Sequence, residues 1–393
     1  MREAVVVSGA RTPSGSFGGS LSEIDAPELG AIVVKEALRR AGIEGKIVDE
    51  VIIGTHFQAG IKANSARQAA VLAGLPVEVP AWTPNKNCGT GLKAVNLAAQ
   101  MVMLGEADIV VAGGCETMSR IPYLIHKHRF GARMGNEQLL DSMIYDGLVD
   151  PFMNYHMGIT AENVAAKCGI TREMQDEFAF GSHLKAAAAR RQGLFKQEIV
   201  PVEIKKRKGT SLFEEDETIK EELSLADLAK MRPAFKADGT VTAGNASGIN
   251  DGAAAVVIMS REKADALGIR PLVALRAFAS TGVDPSIMGY APVSAVQKLL
   301  AKTGLTHKDI DLFELNEAFA AQAAACAQDL GLDPSKVNVN GGAVALGHPV
   351  GCTGARLLVT LMNEMERRSS RYGVISLCIG GGQGIATLVE RCR

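Results

Sequence analysis

The chain has almost no net charge, no paired cysteines and no long apolar run, and each absence removes a class of function. Lys and Arg number 42 against 43 Asp and Glu, a formal net charge of −1. That balance argues against a general nucleic-acid or membrane-surface role. The seven cysteines stand at Cys88, Cys115, Cys168, Cys326, Cys352, Cys378 and Cys392. They are odd in number and widely spaced, with no CxxC pair and no Cys/His ligand pattern, so neither a disulfide framework nor a zinc site is expected. A reduced, cytoplasmic setting follows. No apolar stretch reaches membrane-spanning length. The segment Met1–Val7 passes directly into a strand pattern without a signal sequence, and Arg391-Cys392-Arg393 matches no C-terminal address.

What is present is glycine. The chain has 42 in 393 residues, above the usual share of about 7%, clustered in turns where backbone can approach a ligand. The length favours two domains. An internal duplication supports that division. Ala41-Gly42-Ile43 recurs as Thr303-Gly304-Leu305, and at the same offset Val51–Phe57 matches Phe313–Phe319. Asn87-Cys88-Gly89-Thr90-Gly91 resembles Val350-Gly351-Cys352-Thr353-Gly354, and the strand 107–114 resembles 372–381. Each copy alternates strand and helix, which predicts an α/β fold with mostly parallel pairing and helices on the sheet faces. Residues from about 119 to 248 have no second copy, are richer in charge and include the basic run Lys205–Lys208. They read as an insertion able to reach over the strand ends. The expected division is residues 1–118 with 249–270, an insertion at 119–248, and a second half at 271–393.

Three turns carry the chemistry. Cys88 precedes an apolar helical pattern, where the helix N-terminus lowers a thiol pKa and offers free N–H groups to an oxyanion. His348 is held between Gly347 and Pro349. Cys378 opens Cys378-Ile379-Gly380-Gly381-Gly382-Gln383-Gly384, which lacks the Lys-Ser/Thr of a phosphate loop and the spacing of a dinucleotide fingerprint. Its backbone N–H groups suit a thioester oxygen instead. A nucleophilic thiol, a histidine to activate it and a second thiol to move a proton make an acyl-transfer set. Asn316 and Glu317 follow the apolar strand Leu312–Leu315 as a pocket wall, with a helix cap or an ion pair as their structural alternatives.

In order, Asn-x-x-Cys-Gly-Thr-Gly, Asn-Glu-Ala-Phe, Gly-Gly-Ala-Val-Ala-Leu-Gly-His-Pro and Cys-x-Gly-Gly-Gly-x-Gly resemble the thiolases, most closely the biosynthetic acetoacetyl-CoA type. The resemblance runs from Arg11 to Gly384. It implies a thiolase-like fold, two duplicated α/β halves in α-β-α-β-α layers with an inserted loop domain. It implies reversible Claisen condensation of two acetyl-CoA through an acetyl-cysteine, with broad-range degradative thiolysis as the alternative. Cys88 would be the nucleophile, His348 its activator and Cys378 the acid/base. Asn316 would hold a water that completes one oxyanion hole with His348, and the N–H groups of Cys88 and Gly380 would form the other. Coenzyme A and acetyl-CoA enter as substrate and product, with no tightly bound cofactor and no metal. Ser247 and His156 match positions on the pantetheine arm. Leu148, Phe235, Ala243 and Phe319 match pocket-lining positions, and Met157 and Met288 match those around the acyl group. Lys220 or the 205–208 run would stand in for an arginine at the adenine end. The unduplicated segment 120–146 resembles the loop that joins thiolase dimers into a homotetramer. A ketoacyl-carrier-protein synthase is disfavoured because Cys378 stands where that family has a second histidine or an asparagine.

Overall fold

The computed structural model describes residues 1–207 and 209–392; Lys208 of the basic run and Arg393 lie outside them. The strands of the main sheet run, edge to edge, Leu312–Leu315, Tyr372–Ile379, Gln383–Arg391, Val273–Gly282, Ala4–Arg11, Asn250–Ser260, Ile109–Thr117, Glu50–Gly54 and Ala81–Trp82. The first four repeat the order of the next four in mirror sense. The two quartets meet at a short seam where Val5 and Val6 pair with Ala274 and Val273.

Pairing is less parallel than the alternation of elements predicts. Glu50–Gly54 runs parallel to Ile109–Thr117, and Leu312–Leu315 to Tyr372–Ile379. The other pairings inside the quartets are antiparallel. The cause is local. Tyr372–Ile379 and Gln383–Arg391 are joined by a tight turn in which Gly381 and Gly382 hold φ of 83° and 80°, a left-handed backbone that glycine adopts without cost. A hairpin fixes its two strands antiparallel. Asn250–Ser260 enters from the insertion and not from a helical crossover, so it is free to pair in the same sense.

Strand side chains alternate between two buried faces, which separates five layers. Val5, Val51, Ile53, Ile109 and Val111 pack on the helices Ala26–Ala41 and Ser65–Leu72. Val6, Ile52, Val110 and Ile258 face the other way, onto Thr90–Leu104 and Thr353–Arg368. Those same two helices receive Leu275, Ile375, Leu377 and Ile385 of the second quartet. Val374, Ala386 and Leu388 point out to Ala291–Thr303 and Ala320–Asp329. The order is therefore helix, sheet, helix, sheet, helix.

The central helices are enclosed by both sheets and are apolar on nearly every side, as Leu92, Val95, Ala98, Leu357, Leu358 and Leu361 show. Full burial of each large apolar side chain contributes roughly 1.5–3 kcal/mol. They cross closely at their N-terminal ends through two glycines. A Cβ on Gly91 would stand 2.9 Å from Ala355 N, and one on Gly354 would overlap the backbone of Leu92. The duplicated turns before these helices thus come together at the centre of the molecule, with Cys88 at one and His348 at the other.

Between Thr117 and Asn250 the chain forms a two-stranded arm, Tyr123–Leu124 with Leu140–Asp141, then the helices Met157–Cys168 and Arg172–Arg191, then the hairpin Val202–Lys206 and Gly209–Phe213. Met157–Cys168 packs on Ala320–Asp329 and the turn Pro285–Tyr290. This brings Met157 against Met288, Phe319 and Cys378.

Candidate active site

Cys88 sits in a single helical turn, Asn87–Gly89, immediately before the central helix Thr90–Leu104. Side chains build the turn. Asn85 Oδ1 accepts from Asn87 N at 3.0 Å, and Thr90 Oγ1 accepts from Lys86 N at 2.7 Å. Asn87 is left-handed at φ 45°, a conformation asparagine tolerates better than most residues. The bend lifts Cys88 out of the helix line, and Asn87 Nδ2 donates to Gly380 O at 3.2 Å. The N–H of Gly380 in turn approaches the Cys88 thiol. Burial nonetheless pushes that thiol up to about 11, outweighing the hydrogen bonds from Gly380 and from its own backbone. Burial therefore overturns the expected thiol lowering at a helix start, and a base must take the proton.

His348 meets that requirement. Burial, then the positive charge of Arg356 and of His56, lowers it to about 3, so the ring is neutral. Its Nδ1 lies 2.7 Å from Thr353 Oγ1, which donates to Pro349 O at 2.8 Å. A threonine has one hydroxyl proton. With that proton on Pro349, the hydroxyl oxygen accepts from His348, which assigns the ring proton to Nδ1 and leaves Nε2 as the basic nitrogen. Among the described residues Nε2 is buried and has no hydrogen-bond partner.

Cys378 is the next-to-last residue of the strand Tyr372–Ile379 and is fully buried. Burial first, and Cys88 nearby second, raise its pKa well above the usual thiol value. Asn316 follows the neighbouring strand, its N–H donating to Ser376 O at 2.9 Å, two residues before Cys378. Neither side-chain atom of Asn316 has a hydrogen-bond partner among the described residues. It caps no helix, since the next one is capped at Phe319. Glu317 is structural, by hydrogen bonds and not by an ion pair: it accepts from Ser182 Oγ at 2.7 Å, Asn338 Nδ2 at 2.7 Å and Val344 N at 3.1 Å.

These groups surround a cavity of about 400 Å³. Its lining includes Cys88, His348 and Gly380, together with Leu148, His156, Met157, Phe235, Ala243, Ser247, Met288 and Phe319. His156 and Phe235 stack at 4.5 Å, and Phe235 meets Phe319 edge-on at 6.0 Å. The strip through Ala246 and Ser247 is fixed by a bridge to Phe319 and by Ser247 N donating to Ala318 O at 3.0 Å. Cys378 and Asn316 are fully buried behind the lining. Lys220 lies elsewhere. It is exposed, and its N–H donates to His183 Nδ1 at 3.2 Å.

Sequence reasoning missed His56, Met118, Met143, Gly147 and Val350 on the lining. It also missed Glu116, whose buried carboxylate accepts from Thr55 Oγ1 at 2.9 Å, His56 N at 2.9 Å and Gly351 N at 2.9 Å. Burial pushes Glu116 up to about 7 against those bonds. It ties the loop after Glu50–Gly54 to the turn that follows His348. A glutamate at the end of an apolar strand was the available signal. Cys352, the near-duplicate of Cys88, is enclosed away from the cavity, and its thiol is pushed by burial up to about 12.

Comparison with known proteins agrees with this geometry. Residues 4–262 match the family model for the thiolase N-terminal domain, and residues 269–391 that for the thiolase C-terminal domain. The chain is 57% identical over 390 residues to an acetyl-CoA acetyltransferase of Chromobacterium violaceum, covering 99% of this chain and 100% of that one. It is 56% identical over 392 residues to one of Cupriavidus necator, with 100% of both covered. A crystal structure of the Bacillus anthracis acetyl-CoA acetyltransferase superposes with a TM-score of 0.98 at 45% identity, over 100% of this chain and 99% of that chain. With both domain models matched in order across two layered halves built around one thiol-lined cavity, the chain belongs to the thiolase family.

Proposed function

We propose that the chain is an acetyl-CoA C-acetyltransferase that joins two acetyl-CoA into acetoacetyl-CoA and CoA, reversibly and by ping-pong chemistry. The observation that carries this is one convergence: the Cys88 thiol beneath the Gly380 N–H, a buried second thiol at Cys378, and the free Nε2 of His348. His348 Nε2 takes the Cys88 proton as the sulfur attacks the thioester carbonyl. Cys378 protonates the departing CoA sulfur. The Cys378 thiolate left behind takes an α-proton from the second acetyl-CoA. The enolate carbon attacks the acetyl group, Cys88 leaves as thiolate, and His348 returns its proton.

The buried setting suits each step. A thiol raised by burial is a strong base once it has lost its proton, which the weakly acidic α-carbon requires. The N–H groups of Cys88 and Gly380 stabilise one oxyanion; His348 and Asn316, through a water, stabilise the enolate oxygen. Each good donor lowers the barrier by roughly 3–4 kcal/mol. Leu148, His156, Phe235, Ala243, Ser247 and Phe319 line a channel for the pantetheine arm, and Met157 and Met288 close the acyl end.

The arm carrying Tyr123, Phe130, Met134 and Leu139, all exposed, joins dimers into a homotetramer in this reading. The duplicated strand order supports a division into residues 1–118 with 249–270, an insertion at 119–248, and 271–393. Seven free cysteines support a cytoplasmic setting. Initial rates test the function: acetyl-CoA alone should release CoA and acetoacetyl-CoA in equal amounts, and thiolysis with varied CoA should give parallel double-reciprocal lines. Release of free acetate in place of acetoacetyl-CoA would contradict the proposal.

A further inference from the structure

Beneath the site lies a buried charge cluster that the chemistry above does not use. Arg11 on the strand Ala4–Arg11 takes both nearby carboxylates of the insertion. Its Nε meets Glu198 Oε2 at 2.9 Å, and its Nη1 and Nη2 meet Asp216 at 2.8 and 3.0 Å. Arg356 takes none. It is 1% exposed on the central helix Thr353–Arg368, one turn beyond the Thr353 that holds His348. Among the described residues no acceptor meets its Nε, Nη1 or Nη2, and no carboxylate lies within 4.0 Å.

Glu314 faces it from the strand Leu312–Leu315, two residues before Asn316. It is 2% exposed, with Oε2 unbonded. Glu198 Oε1 is unbonded as well, although Thr360 Oγ1 donates to Oε2 at 2.8 Å. The groups facing this pair are Arg11 on its strand, Glu198 and Asp216 on the insertion, Cys352 before the helix, Glu364 further along it, Glu317 beyond Asn316, Lys185 on the helix Arg172–Arg191, and His348, which burial and then the charge of Arg356 hold neutral. An unpaired buried guanidinium is unfavourable for folding. Such a breach of polar pairing clusters at functional sites.

We propose that Arg356 is a positioning residue for enolate formation, a fixed positive charge under the Asn316–His348 pair, and that Glu314 cancels it when it ionises. The proposal rests on the reading of Asn316 and His348 as the enolate-binding pair. An arginine keeps its proton throughout the working range, so the potential it supplies is permanent. Negative charge grows on the thioester oxygen only as the α-proton leaves, so the benefit falls on that step. Neither residue lines the cavity, so substrate affinity should be untouched. Burial raises Glu314 to about 8, with Arg356 pulling the other way. Near pH 7 the carboxyl is mostly protonated and leaves the guanidinium uncompensated. Above pH 8 it ionises and offsets that charge.

The test uses the full-length enzyme and two variants with opposite expected behaviour. Arg356→Met should slow solvent exchange of the α-protons of acetyl-CoA about tenfold, the size of one buried charge acting across a partly polar interior. Its KM for acetyl-CoA and its melting temperature should not worsen. Glu314→Gln should exchange as fast as wild type at pH 7 and should lose the decline that wild type shows above pH 8. A purely structural role would lower stability and raise KM in both variants, which would overturn the proposal. Normal exchange in Arg356→Met, or an unchanged alkaline decline in Glu314→Gln, would also overturn it. Should Arg356→Met fail to fold, the nearly isosteric Glu314→Gln still decides through its alkaline limb. Slowed exchange in Glu314→Gln at pH 7 would overturn the proposal too, whereas the expected behaviour of both variants with normal exchange in Asn316→Ala would count against the reading of Asn316 alone.

Discussion

His348 and Thr353 are bound at 2.7 Å across the turn that opens the central helix, and this contact decides which nitrogen of the ring is basic. Thr353→Val keeps the shape and removes the acceptor. The ring is then free to place its proton on Nε2, which disables it as a base. The rate of Cys88 acylation by acetyl-CoA should fall at least about tenfold, in the range seen when an orienting partner is lost, with little change in melting temperature. Unchanged acylation would show that the tautomer is fixed by something else.

Cys378 is separable from Cys88 by its step. Cys378→Ala should still take an acetyl group on Cys88, more slowly because the CoA sulfur then leaves as thiolate without its proton donor, but should not exchange α-protons with solvent. Full exchange in that variant would assign the base elsewhere.

In the proposed reading the acyl end is closed by Met157, Met288 and Phe319, which line the cavity at 7%, 3% and 8% exposure. One more buried methylene gains about 0.8 kcal/mol, and forcing it into a packed site costs roughly 1–3 kcal/mol. The steric cost exceeds the gain. Catalytic efficiency should therefore decline from acetoacetyl-CoA to 3-ketohexanoyl-CoA, gradually, because methionine adapts. Equal efficiency with 3-ketooctanoyl-CoA would place the enzyme among the broad-range degradative thiolases.

Stability should depend on pH through a few buried groups that act in opposite directions. His348, lowered to about 3, and His183, lowered to about 4, stay neutral in the folded state. The unfolded chain protonates them below about 6.5, so stability is lost as pH falls from there. Glu314 acts in the other direction. Its folded value of about 8 exceeds the unfolded value of about 4.3, so the native state binds the extra proton and stability falls as pH rises between the two. Melting curves from pH 5 to 9 should show Glu314→Gln gaining relative to wild type on the alkaline side. Parallel curves for the two proteins would contradict the assignment.

The exposed arm offers a test of assembly. Phe130 is 91% and Met134 100% exposed, and removing Lys127–Gly135 should convert a tetramer to a dimer by light scattering. An unchanged mass, or a wild-type monomer, would rule the arm out as the joint.

Much of this was legible in the sequence because the duplication and the glycine turns are local signals. The strand Leu312–Leu315 and the helix ends at Ala41 and Leu104 fall where the periodicity puts them. The lining residues from His156 to Phe319 came from motif likeness, and they do meet in one cavity. Pairing sense was misjudged, since it depends on how Asn250–Ser260 returns from the insertion, which no window of sequence records. The thiol of Cys88 was misjudged for a similar reason. The helix start is visible in the residues, whereas the burial that overrides it comes from Met118, Met143 and Val350, distant in the chain. Glu116 and Arg356 escaped notice because an isolated charge on an apolar element has no local meaning until its surroundings are known.

The most direct test of the central assignment is to incubate the enzyme with acetyl-CoA, quench in acid and map the acetyl group by peptide mass spectrometry. The expected result is one acetyl thioester, on the peptide containing Cys88. A label confined to Cys378 or Cys352, or no covalent label under conditions that form acetoacetyl-CoA, would contradict it.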